Sequence, residues 1–131
     1  MDPAALWTFL PIGYALTVLL EAPVLWFGLA KVHDAKTRVV AAFLLTGVTY
    51  PIVVLVLPLL VGAEERYWLY LLVAETFAPA AEIAVFRLTF PLAATLPVRA
   101  QLHDAAAIVA ANLCSFLLGG ALIELLRSWS A

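Results

Sequence analysis

The sequence is poor in the residues that most enzymes and nucleic-acid-binding proteins rely on. Cysteine occurs once, as Cys114 within an apolar run, so neither a disulfide nor a thiolate metal cage can form inside one chain. Charged residues make up only 12% of the chain, and the seven Lys and Arg are scattered over loops and ends. With a net charge of −2, this excludes the concentrated basic surface that nucleic acid requires as a partner. There is no Gly-rich phosphate loop, no His-Glu-x-x-His pattern and no recognisable nucleophile. No Lys or Arg precedes the first apolar run, which is also too long for a cleaved signal peptide. Only Asp2 stands before it, and the run is expected to stay in the mature protein. No cofactor is implied.

What is abundant is apolar length. Hydrophobic residues form 66% of the chain and the mean hydropathy is +1.07, which places it among integral membrane proteins. Four stretches, residues 6–30, 39–61, 67–87 and 105–126, each approach or exceed the roughly 20 residues that cross a bilayer as a helix. The expected fold is all-α: a four-transmembrane-helix bundle forming a single integral membrane domain over residues 1–131. The lipid bilayer is its first partner, with a homodimer or larger membrane complex as further assembly states.

Alternating spans put Trp7, Trp68 and Trp129 at one membrane surface, beside Tyr67 and Tyr70, and Trp26 at the other. Lys31, Lys36 and Arg38 flank the first loop and Arg87 and Arg99 the third, against Arg66 and Arg127 on the opposite side. That bias predicts a cell inner (plasma) membrane protein with loops one and three inside and both termini outside. The second loop, residues 62–66, is short and acidic, so the spans it joins form an antiparallel hairpin. Pro91 and Pro97 make residues 88–99 an interfacial elbow, and prolines 11, 23, 51, 58 and 79 lie inside spans as kink positions.

A weak internal duplication runs through the chain. His33-Asp34-Ala35 and His103-Asp104-Ala105 each stand before an apolar helix, while Thr46 and Thr49 correspond to Asn112 and Ser115 at an offset one helical turn shorter. Such a repeat implies two parallel-related helical hairpins. Both His-Asp pairs fit helix N-caps, with the Asp accepting from the first turn, and both are candidates for an interfacial pH sensor or metal entry site.

Two glutamates, Glu75 and Glu82, share one face of the third span, seven residues or about 10 Å apart. That face cannot meet lipid, because one ionisable group near the bilayer centre costs at least about 2.5–3.5 kcal/mol on insertion scales. Glu21, Thr46, Glu82 and Asn112 all lie about 5–9 residues from the same membrane surface, so all four spans contribute to one polar layer. Tyr14 and Thr17 extend it on the face of Glu21, Thr49 follows Thr46, and Ser115 follows Asn112. Ala107, Ala111, Ser115 and Gly119 form a small-residue stripe suited to close helix packing.

Three chemistries compete for the layer. The carboxyls could be neutral glue between helices. They could bind a cation or exchange it for protons, with an all-oxygen set suited to a hard ion, metal identity being open. Or they could carry out intramembrane acid–base catalysis, which no other motif supports.

The same residues carry a resemblance. Glu21, Thr46-Gly47-Val48-Thr49-Tyr50-Pro51, Glu75 with Glu82, and Asn112-Leu113-Cys114-Ser115 resemble a group of small prokaryotic four-helix membrane proteins with no established activity, although Thr46 and Tyr50 stand where that pattern has Asn. Small multidrug-resistance exporters are similar in having four spans with a Glu in the first, but their Gly-rich third span is missing here. The expectation is therefore a cation- or proton-coupled transporter or channel-like protein. The alternative is a non-transporting subunit whose glutamates pair with a partner helix.

Overall fold

The computed structural model describes residues 3–130; Met1, Asp2 and Ala131 lie outside the described residues, so the reading of Asp2 has no structural counterpart. Four long helical segments run antiparallel in sequence, α1 (Pro3–Gly28), α2 (Ala35–Pro51) continuing into α3 (Leu57–Val61), α4 (Tyr67–Thr89) and α6 (Val98–Trp129), with the short α5 (Pro91–Thr95) as the elbow before α6. Each of the four segments is long and apolar enough to cross a membrane. The protein is a multi-pass, all-α four-helix bundle. Its outer surface is apolar, with Phe27, Leu59 and Leu88 at least 84% exposed, as lipid-facing side chains are.

The helices form a ring in which α1 touches α2 and α6, and α4 touches α2 and α6. Small residues allow the closest approach. A Cβ added to Gly28 would lie 3.0 Å from Ala107 Cβ, so the predicted stripe on α6 does face a partner helix. Ala107, Ile108 and Ala111 meet Leu25, Leu29, Ala41, Leu45 and Phe86 in a buried cluster at the end near the first and third loops. This end is tightly filled, whereas the polar residues and a cavity begin about one turn further in.

Two features of the helices depart from the expected spans for physical reasons. The fourth helix starts at Val98, directly after Pro97, not near residue 105; Val-Arg-Ala-Gln are competent helix formers and the proline supplies the break. The second span is not regular. Ile52–Val56 form one π-helical turn, in which Leu57 N–H donates to Ile52 O rather than to Val53 O. Pro58 has no N–H to offer Val53 O in its place. The Tyr70 hydroxyl of α4 supplies the missing donor at 3.0 Å. After α3, Gly62 takes a left-handed conformation (φ 68°), closing the helix as only glycine does without strain.

Candidate functional site

Glu21 on α1 and Glu82 on α4 are 2% and 1% exposed, and both point into the bundle. Glu21 accepts from the Thr46 hydroxyl through Oε2 and from the Ser115 hydroxyl through Oε1, both at 2.7 Å. Glu82 accepts from the Thr49 hydroxyl through Oε1 and from Asn112 Nδ2 through Oε2, again at 2.7 Å. Thus α2 and α6 each give one donor to each carboxyl. The pattern is an exchange: swapping α1 with α4 and α2 with α6 maps Thr46–Glu21 onto Asn112–Glu82, and Thr49–Glu82 onto Ser115–Glu21. The correspondence of Thr46 and Thr49 with Asn112 and Ser115, read from the sequence, is thereby matched bond for bond.

Two of the hydroxyls face more acceptors than they have hydrogens. Thr49 Oγ1 lies 2.7 Å from Glu82 Oε1 and 3.0 Å from Leu45 O. Ser115 Oγ likewise lies 2.7 Å from Glu21 Oε1 and 3.0 Å from Asn112 O. A carboxylic acid donating to the hydroxyl lets that hydroxyl donate to the backbone carbonyl; a carboxylate instead takes the hydroxyl hydrogen for itself. The geometry accommodates a proton on either carboxyl by rotation of one O–H bond.

Between these groups is a cavity of about 160 Å³. Its polar wall is formed by Thr17, Glu21, Thr46, Thr49, Glu82, Asn112 and Ser115, together with Glu75 and Tyr50; Val53, Ala74, Ala78 and Phe116 complete it. No Lys, Arg or His belongs to the wall. Glu75 is half-buried and accepts no side-chain hydrogen bond among the described residues, so its carboxyl is available to whatever fills the space. Tyr14 departs from expectation. Its hydroxyl donates to Phe43 O at 2.8 Å, at the α1–α2 seam outside the cavity. Among the described residues no three His, Cys, Asp or Glu side chains converge as a metal-ligand cluster.

The two His-Asp pairs do not play equivalent parts. Asp34 is the N-cap of α2, accepting from Thr37 N–H at 2.8 Å, and this backbone bond holds its carboxyl below the usual carboxylate range. Asp104 is no cap, because α6 begins two turns earlier. It is buried, and it accepts from Ala30 N–H and His33 Nε2, both at 2.8 Å, tying the first loop to α6. His33 also stands edge-on to Phe86, with ring centroids 5.2 Å apart. His103 is exposed and joins neither arrangement.

Arg38 has a role that the charge count alone did not reveal. Its guanidinium donates to the carbonyls of Trp26, Leu29, Ala30 and His33 at 2.6–3.2 Å, satisfying the C-terminal end of α1. The signal for it was position: a five-donor side chain one turn into the helix that follows a tight connection. Compared with protein-family models, curated proteins and solved structures, the chain matches none.

Proposed function

We propose that the protein is a small carrier of the inner (plasma) membrane, cation- or proton-coupled, in which Glu21 and Glu82 alternately hold protons and a cation. The observation that supports this reading is a pair of buried carboxyls from different helices facing one cavity whose wall has no basic residue. In a low-dielectric interior their charge is compensated only by what enters, a proton or a cation. The hydroxyls of Thr46, Thr49 and Ser115 and the amide of Asn112 serve either state without moving a helix, since each can reorient or share its hydrogens.

The inward aim of both carboxyls weighs against the alternative of a non-transporting subunit, because a partner helix outside the bundle would find neither group to pair with. Neutral glue accounts for four hydrogen bonds but not for the cavity or for Glu75 on its wall.

Flux into proteoliposomes under pH and ion gradients tests the proposal on wild type, Glu21→Gln and Glu82→Gln. Wild-type flux should exceed that of empty vesicles, and each variant should lose at least about tenfold, because Gln keeps the hydrogen bonds but cannot take up charge. Equal flux in all three proteins would reject the assigned roles.

A further inference from the structure

A second hollow, of about 420 Å³, lies on the flank of the α1–α2 pair and is walled by Trp7, Leu10, Pro11, Tyr14, Tyr50 and Pro51, with Gly47 at its floor. Its walls belong to two membrane-spanning helices and Trp7 is 65% exposed, so the mouth opens sideways toward lipid. Tyr50 is shared: it belongs to the wall of this groove and to the wall of the carboxyl cavity. Its ring is common to an aromatic compartment and an acidic one.

That ring is seated without being bonded. Gly13 on α1 provides the notch, since a Cβ there would overlap the Tyr50 hydroxyl. The neighbouring Tyr14 hydroxyl is anchored to Phe43 O, whereas the Tyr50 hydroxyl makes no hydrogen bond among the described residues. Rotation of Tyr50 therefore breaks no polar contact, and it would join the two compartments.

The two compartments select for opposite properties. The groove offers the faces of Trp7, Tyr14 and Tyr50 to an apolar or aromatic body and to a cation near it. The cavity offers Glu21, Glu75 and Glu82 and no positive group. Its volume, about that of an engineered protein cavity known to admit benzene, suits a compact cationic head and not a large one. We propose that groove and cavity together form one bipartite site for a small amphipathic organic monocation that enters from the bilayer, with Tyr50 as the gate between its apolar and acidic halves. This inference rests on the carrier reading only for the roles of Glu21 and Glu82.

The test uses benzyltrimethylammonium, with tetramethylammonium as the cation lacking an apolar body and neopentylbenzene as the uncharged isostere, titrated into the protein in lipid nanodiscs. Binding is read by calorimetry and by tryptophan fluorescence. Benzyltrimethylammonium should bind saturably and at least about tenfold more tightly than either comparator. Glu82→Gln should weaken it by a similar factor, and Trp7→Phe should remove most of the fluorescence response and weaken the calorimetric affinity, because phenylalanine is the poorer cation–π face. Tyr50→Ala should speed binding and release of the probe, and Tyr50→Phe, which keeps the ring, should change both rates much less than Tyr50→Ala does. Should Tyr50→Ala fail to fold, Gly13→Ala, which unseats the same ring, gives the same readout. Absence of saturable wild-type binding, or equal affinity for all three probes, overturns the bipartite site. If the probe fails to bind while Glu82-dependent proton or sodium flux persists, this inference falls and the carrier reading stands. If the probe binds as described but no flux is found, the site stands and carriage falls.

Discussion

At the scale of residues, the assignment of donors to carboxyls is the most specific statement the structure makes. Thr46 and Thr49 are one helical turn apart yet serve different carboxyls, Glu21 and Glu82 respectively. A double-mutant cycle in detergent micelles pairs Thr49→Val with Glu82→Leu and, separately, Thr46→Val with Glu82→Leu. The first cycle should show a coupling of about 0.6 kcal/mol in unfolding free energy, typical of a hydrogen bond between membrane helices, and the second close to none. Equal couplings would refute the crossed assignment.

The membership of this cluster was legible because depth in a membrane helix follows from counting 1.5 Å per residue. Ser115 was legible from its three-residue spacing after Asn112. Asp104 was not. Its partners Ala30 and His33 lie 74 and 71 residues away, and its identical neighbour pattern with Asp34 concealed that one caps a helix while the other fastens a loop. The share of Tyr50 in two compartments was equally hidden, since it depends on which helix happens to lack a Cβ opposite it.

At the scale of elements, the second span carries the main departure from regularity. Pro51 and Pro58 were visible as perturbing residues, but a sequence does not reveal whether the helix bends or takes in an extra residue. The π turn between them leaves Val53 O dependent on Tyr70, in a wall of the cavity. Tyr70→Phe should therefore lower stability by about 1–3 kcal/mol, the cost of stranding a buried polar group. Adding Pro58→Ala should restore part of the loss, because an N–H at position 58 can reach the same carbonyl across one π turn. Thermal or denaturant unfolding of the two single variants and the double variant measures this. A double variant that is less stable than Tyr70→Phe alone would show that the carbonyl is satisfied in another way.

At the scale of the whole molecule, the four apolar spans followed from length and composition, and the short second loop marked spans two and three as neighbours, whereas the pairing of α6 with α1 and α4 was not legible, because the small-residue stripe on α6 does not name its partner. Orientation is a separate matter, carried by seven basic residues. In a Cys114→Ala background, single cysteines at Val32 and Ala94 should react with membrane-impermeant thiol reagents from one side, and those at Glu65 and Ser130 from the other. The charge bias predicts that the first pair reacts from inside the cell. Labelling of all four from one side would contradict the alternating crossings of the four helices.

The exchange of donors between the two hairpins also bears on how the chain is made. The α1 carboxyl leaves the ribosome early, but its second donor, Ser115, is encoded 94 residues downstream. Until α6 is inserted, Glu21 has only Thr46 from its own hairpin, and Glu82 has only Thr49 from the hairpin before it. The last helix thus completes both carboxyl pockets at once. A nascent chain halted before α6 exposes two half-satisfied acids within the bilayer, a feature by which membrane quality control could tell an unfinished product from a finished one.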